Sequence, residues 1–280
     1  MREISVNELI DGVAQLCNNA NYKLGQDVID AFKKALKQET SPTGRSILEQ
    51  LIENAEIASE GEFPYCQDTG FAVLFMEIGQ DVHFVGGDFW EALNKGVSKG
   101  YTEGYLRKSI LKDPIRGGNT GDNTPPIVWP EIVPGDKVKI TIAPKGGGSE
   151  NMSEVKMMTP AHGAEGIKDF VVDRVSRSGG NPCPPIVVGV GIGGTFEKCA
   201  WLAKKALLRS LGSRNPDPFY AQMEEELLTR INDLGIGPQG LGGRTTALDV
   251  LIEVHPRHIA SFPAAVNMQC HADRHKTIII

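Results

Sequence analysis

The sequence is poor in cysteine and in aromatic residues, has no long apolar run, and carries no excess of basic charge. Five cysteines among 280 residues, an odd number and widely spread, make no disulfide framework. Core packing, metal ligation and nucleophilic chemistry are the roles left for them. The longest apolar stretches, such as residues 186–192, fall far short of the roughly 20 residues that cross a bilayer, so no membrane helix is expected. Met1-Arg2-Glu3-Ile4-Ser5 places an acid where a secretory signal needs an uninterrupted apolar region, so the chain is expected to stay in the cytoplasm. The 29 Lys and Arg residues against 35 Asp and Glu leave a net charge of -6, which disfavours nucleic acid and anionic lipid as partners. Hydrophobic residues at 40% and charged residues at 23% are those of a folded globular chain. Glycine is abundant, 32 residues with 17 prolines, which implies many turns and several places where backbone approaches something closely.

The first sixty residues read as a layer of helices. Ser5-Val6-Asn7-Glu8 is a capping-box pattern ahead of an apolar stripe at Leu9, Ile10, Val13, Leu16 and Cys17. A second helix is predicted near 26–38 and a third from Ser41-Pro42 through Leu51 and Ile52. Strands are expected over 71–78 and 82–85, then a helix opened by Asp88. Segment 113–126 is all turn chemistry, and Val138, Ile140 and Ile142 alternate with polar residues as in a strand with one wet face. After Lys145-Gly146-Gly147-Gly148-Ser149 come a helix near 160–177, a buried strand at 186–192, helices near 195–211 and 217–234, and a strand at 247–254. The expected class is mixed α/β, with two α/β lobes whose sheets are flanked by helices, and a soft boundary near residue 148 within one domain spanning 1–280.

Three cysteines fall in loops: Cys66 in PYCQDTG, Cys183 in NPCPP and Cys270 in NMQCH. Cys17 and Cys199 lie on helices and read as structural. A lone free cysteine is ordinarily a small buried hydrophobe, yet three loops rich in Pro and amide side chains suit thiolates held by backbone N–H groups. No CxxC spacing points to a zinc finger. Three thiolates on a soft metal centre would leave one position open, as a catalytic Lewis-acid site requires. Gly189-Val190-Gly191-Ile192-Gly193-Gly194 matches the dinucleotide-binding fingerprint in form, but its glycines lie inside a strand and no acid-ended strand follows about 20 residues later. The three glycines at 146–148 either make a plain turn or expose N–H groups to an anion. His83 and His162 read as exposed or capping residues, and either His255 or His258 could carry a proton near Cys270. Asp68 lies two residues from Cys66, and Arg107 could hold a carboxylate bidentately, through two parallel N–H···O bonds, or be a plain exposed arginine.

Taken together, PYCQDTG, Leu106-Arg107, NTGDNTPP at 119–126, KGGGSENM at 145–152, CPPIVVGVGIGGT at 183–195 and HPRHIASFPAAVNMQCHADR resemble the class I, iron-sulfur dependent fumarate hydratase and L-tartrate dehydratase family. The resemblance spans the chain from Glu62 onward and matches the alpha subunit of members built from two chains. It implies that Cys66, Cys183 and Cys270 hold a 4Fe-4S cluster and that Gln67, Arg107, Gly147 and Gly148 contact substrate. It also implies that Asp68 and His258 handle protons. A second carboxylate clamp would come from a separate beta subunit in a hetero-oligomer. The expected reaction is reversible hydration of fumarate to L-malate, with L-tartrate dehydration as the near alternative. A nicotinamide-dependent dehydrogenase and a non-catalytic metal-binding subunit are the readings from other classes. The apolar end Thr277-Ile278-Ile279-Ile280 is expected to be a strand or a contact with another protein.

Overall fold

A computed structural model describes residues 1–280. The chain runs through β1 (Arg2–Ser5), α1 (Val6–Tyr22), α2 (Gln26–Gln38), α3 (Pro42–Ser59), β2 (Phe71–Gly79), β3 (Val82–Val85), α4 (Phe89–Glu103), β4 (Leu111–Asp113), β5 (Gly117–Asn119), β6 (Ile127–Val133) and β7 (Val138–Lys145). There follow α5 (Gly147–Glu150), β8 (Glu154–Met158), α6 (Gly163–Ser178), β9 (Ile186–Gly194), α7 (Phe196–Ala206), α8 (Pro218–Asn232), β10 (Ala247–Arg257), β11 (Phe262–Gln269) and β12 (Lys276–Ile279). The class is mixed α/β. Two compact units emerge, neither continuous in sequence: Met1–Gly25, Ala55–Gly147 and Arg274–Ile280 form the first, and Gln26–Asn54 with Gly148–Asp273 form the second. The N-terminal helices therefore do not make a layer of their own, because α1 belongs to the first unit and α2 to the second.

In the first unit, Ser5 opens α1 with the expected capping box: its hydroxyl accepts from the Asn7 N–H at 3.2 Å and its own N–H donates to Glu8 Oε1 at 3.2 Å. Leu9, Val13, Leu16 and Cys17 of α1 pack with Leu93 and Val97 of α4 onto a sheet ordered β12-β7-β2-β6. That sheet contributes Ala72, Leu74, Met76 and Ile78 from β2 and Val138, Ile140 and Ile142 from β7. The period of two puts Lys139 on the wet face, where it pairs with Glu77 across the strands at 2.9 Å. The C-terminal segment is a strand of this same sheet: β12 lies antiparallel to β7, the Ile280 N–H donates to Val138 O at 2.8 Å, and Ile278 and Ile280 pack on the core. Its apolarity is thus spent inside the unit, and the expectation of a contact with another protein gains nothing from it.

The second unit has the sheet order β10-β9-β11-β8, with β10 parallel to β9 and β11 antiparallel to both β9 and β8. Ile186, Val188, Val190 and Ile192 point to one face and meet Phe170 and Val171 of α6 and Leu227 and Ile231 of α8. Val187, Gly189 and Gly191 point to the other, where α7 lies. A Cβ on Gly189 would sit 2.0 Å from Ala203 O, and one on Gly191 2.0 Å from Cys199 O. Only glycine lets the α7 backbone lie this close to the strand. The GxG spacing is therefore a helix-packing device.

The turn between α2 and α3 is fixed to residues 244–245 of the same unit by Glu39, which is 3% exposed. Its carboxylate accepts the N–H groups of Thr40 and Ser41 at 2.9 Å, Arg244 at 2.9 Å and Thr245 at 3.0 Å. Burial favours the neutral acid, but the N–H groups of Ser41, Arg244, Thr245 and Thr40 favour the carboxylate and prevail, holding its pKa below the ordinary value. A depressed folded-state pKa contributes stability above the unfolded pKa and loses it as pH falls through the folded one. Glu39→Gln is expected to cost about 1–3 kcal/mol at neutral pH, the scale of unsatisfied buried groups. The urea midpoints of wild type and variant should converge as the pH drops through the carboxylate range, and equal midpoints at neutral pH would refute this role.

Candidate active site

The PYCQDTG loop lies in the first unit between α3 and β2. Cys66 is half-buried, its thiol 3.5 Å from Oε1 of the exposed Gln67. Asp68 is half-buried and fixed at both oxygens: Oδ1 accepts the Gly70 N–H at 3.0 Å and Oδ2 the Gly147 N–H at 2.9 Å. The Gly147 N–H thus serves Asp68. The Thr69 hydroxyl donates to Arg107 O at 3.1 Å, which ties the Leu106-Arg107 segment to the loop and leaves the Arg107 side chain exposed. Asn123, from NTGDNTPP, accepts the Ser109 N–H at 2.7 Å and donates to Gly70 O at 3.1 Å. Four of the motif segments, together with Arg274 of the HADR segment, are brought together here by direct hydrogen bonds.

Three residues of this assembly were missed by reading the sequence. Tyr101 of α4 shares its one hydroxyl proton between Thr69 O at 2.8 Å and Gly70 O at 3.0 Å, and burial pushes that phenol's pKa far up. Arg274 donates to Asp68 O at 2.8 Å and to Asn21 Oδ1 at 2.9 Å. Asn123 and Arg274 lie within quoted motifs and could have been singled out there. Tyr101 continues the buried face of α4 and carries no signal that separates it from a packing residue.

In the second unit, Cys183 takes a left-handed conformation with φ 56, its thiol directed at Asn181 O at 3.9 Å. Its carbonyl accepts the N–H of His271 at 3.2 Å, and Gln239 reaches both Pro184 O at 2.9 Å and His271 Nδ1 at 3.1 Å. These bonds hold the loop of Cys183 to the loop of Cys270, which is 9% exposed. Beyond Gly148, Glu150 is held by Lys204 and by Asn267 Nδ2 at 3.1 Å. His258 is exposed in the turn between β10 and β11, where its Nδ1 accepts the Ala260 N–H at 3.2 Å. His255 turns its own Nδ1 to Pro256 O at 2.8 Å.

Cys66, Asp68 and Arg107 thus belong to the first unit, and Cys183, Cys270 and His258 to the second. Within neither unit is a group of three or more His, Cys, Asp or Glu side chains gathered as a metal centre. The donor chemistry nonetheless separates the five cysteines, none of which forms a disulfide. Burial pushes the thiol of Cys17 up to about 12 and that of Cys199 up to about 11, so both are neutral packing groups at physiological pH. Cys66, Cys183 and Cys270 lie outside helices and strands, in loops. A groove of about 540 Å³ between α2 and α8, lined in part by Lys34, Gln38 and Arg244, contains none of the residues above.

The family model described as Fumarate hydratase (Fumerase) matches residues 10–279. A Methanocaldococcus jannaschii protein named "Putative L(+)-tartrate dehydratase subunit alpha" is 44% identical over 274 residues, 95% of either chain. The L(+)-tartrate dehydratase subunit alpha of Escherichia coli O157:H7 and that of Escherichia coli strain K12 are each 34% identical over 282 residues, covering 100% of this chain and 93% of theirs. With a family model matched almost end to end and relatives of equal extent, this chain belongs to the fumarate hydratase (Fumerase) family of hydro-lyases, which includes the tartrate dehydratase alpha subunits.

Proposed function

We propose that this chain is the cluster-bearing alpha subunit of a two-chain hydro-lyase that dehydrates L(+)-tartrate. The observation that carries the substrate is the shared name of relatives aligned over 93–95% of their own length, each an L(+)-tartrate dehydratase subunit alpha. Those names favour tartrate over the fumarate expected from the motifs. Fumarate hydration stands as the second reading because the matching family model bears that description. A nicotinamide-dependent dehydrogenase has no support, since Gly189 and Gly191 are occupied by the backbone of α7. Cytoplasmic residence, where the five free cysteines stay reduced, belongs to this proposal. No helix is long and apolar enough to cross a membrane.

In this reading Cys66, Cys183 and Cys270 would hold a 4Fe-4S cluster. When bound, such a cluster with three protein ligands supplies an iron with an open position, a Lewis acid for hydroxyl and carboxylate oxygens. Arg107 and Gln67 hold and orient the diacid, Arg107 through the two-pronged geometry that guanidinium and carboxylate share. Asp68 and His258 handle the protons that water loss requires, one leaving carbon and one accompanying the hydroxyl. Gly148 is the glycine of the expected pair whose N–H is not taken by Asp68. The second carboxylate is held by a beta subunit, a partner that the relatives' name, subunit alpha, implies.

Cys66→Ser, Cys183→Ser and Cys270→Ser should each lose the iron, the sulfide and the brown colour of anaerobically prepared protein, whereas Cys17→Ser and Cys199→Ser should keep them. Iron and sulfide analysis checks this, and an intact cluster in any of the first three would remove that ligand. With the beta subunit present, L(+)-tartrate should be turned over faster than fumarate, and the alpha chain alone should be close to inactive. Column mass and oxaloacetate formation with and without the second chain decide it; full turnover by a clean lone chain would end the two-subunit reading. His258→Asn should lower turnover by about 100- to 10,000-fold without loss of iron, the usual scale of a lost general acid or base. A wild-type rate in that variant would make His258 structural.

A further inference from the structure

Three consecutive backbone carbonyls of the Asp68 loop are captured by buried side chains from three separate segments. Asp68 O accepts from Arg274 Nη2 at 2.8 Å, Thr69 O from the Tyr101 hydroxyl at 2.8 Å, and Gly70 O from Tyr101 at 3.0 Å and Asn123 Nδ2 at 3.1 Å. Tyr101 and Asn123 are 0% exposed and Arg274 is 1% exposed. Loop carbonyls ordinarily bond to water and need no side chain. Burying a phenol, an amide and a guanidinium to hold three of them costs desolvation that apolar residues of the same size would avoid. Arg274 is the largest fully buried side chain, and its Nε has no partner at all, so this cost is not fully recovered in hydrogen bonds.

What the arrangement secures is position. Asp68 is held at its carbonyl by Arg274, at Oδ1 by the N–H of Gly70, and at Oδ2 by the N–H of Gly147. Gly70 is itself held by Tyr101 and Asn123, so the donor that fixes Oδ1 cannot shift without breaking bonds in the core. Thr69 extends the same lock to the backbone of Arg107. The carboxylate and the segment bearing the arginine are thus set by one buried network.

We propose that Tyr101, with Asn123 and Arg274, is a positioning residue that fixes the Asp68 carboxylate for its proton-handling step. This rests on the role given to Asp68 in the proposed function. Displacement of a reacting group by about 1 Å costs on the order of 100-fold in rate, so loss of the lock should appear in kcat rather than in substrate affinity.

Tyr101→Phe removes one oxygen and keeps the packed ring. In the complete, cluster-loaded alpha–beta enzyme it should lower kcat by about 10- to 100-fold with KM nearly unchanged and iron content intact. Hydrogen exchange of the peptide spanning residues 66–71 should speed up. The same substitution in an Asp68→Asn background should cost little more, because a residue acting through Asp68 has nothing left to position. An equal loss in both backgrounds, or a wild-type kcat in the single variant, would overturn the proposal. If Tyr101→Phe failed to fold, Arg274→Lys, which keeps the cation but not the two-pronged hold, provides the same comparison. Asp68→Asn with wild-type turnover would instead refute the role of Asp68. If neither diacid were turned over at all, the exchange measurement would still decide whether Tyr101 locks the loop, unchanged protection overturning it.

Discussion

Irregular segments of this glycine- and proline-rich chain must satisfy backbone groups that no helix or strand provides for, and at several of them buried or half-buried side chains do that work. Glu39 takes the N–H groups of residues 40, 41, 244 and 245. Glu224, fully buried, takes those of Asn215 at 2.9 Å and Ile252 at 2.8 Å while paired with Arg209. Asn232 Oδ1 takes those of Thr246 at 2.8 Å and Ala247 at 2.9 Å. The same device in the opposite polarity, buried donors on loop carbonyls, holds the Asp68 loop. Such groups are costly when half-satisfied, which makes each of these turns a single, well-defined conformation.

The two glycine-rich segments obey different rules. In β9 the glycines at 189 and 191 face a helix backbone, and their lack of side chains is a packing requirement. At the 146–148 turn the chain passes from β7 of the first unit into the second, and the Gly147 N–H is directed at a carboxylate of its own unit. A fingerprint written only in glycines does not separate these cases. The neighbours do: β-branched residues interleave the first pair, as a buried strand requires, while polar residues follow the second.

Legibility in the sequence followed the range of the forces involved. The capping box at Ser5, the stripe of α1 and the alternation of β7 are local patterns and were readable as they stand. The strands β1, β4, β5, β6, β8 and β11 were not anticipated, and β5 lies inside the segment 113–126 that reads as turn alone. Residues 262–269, Phe-Pro-Ala-Ala-Val-Asn-Met-Gln, have weak strand propensity and become a strand because they lie between β9 and β8, where burial overrides propensity. The partition into two discontinuous units was equally hidden, since contacts between residues 26–54 and 148–273 leave no short-range trace. Of the expected site residues, motifs marked Cys66, Asp68, Arg107, Cys183 and Cys270, because their loops have an unusual composition of Pro, Gly and amide side chains. The hydroxyl of Tyr101 was invisible, because a tyrosine on the buried face of a helix satisfies an apolar pattern whatever its oxygen does.

On the proposed reading, the choice between L(+)-tartrate and fumarate reduces to one hydroxyl. Both diacids present the same two carboxylates, so Arg107 and a partner clamp bind either and set affinity without discrimination. Tartrate brings a second hydroxyl that L-malate lacks. A site that hydrogen-bonds this group rejects the analogue without it by about 10,000-fold or more, because its polar atoms are then buried unpaired, whereas a site without such a group accepts both. Specificity for tartrate therefore demands a side chain able to donate and accept beside the reacting carbons. Among the expected substrate contacts of this chain, Gln67 is the one that offers both, and it stands next to Cys66, exposed at the mouth of a loop whose next residue is held at both carboxylate oxygens.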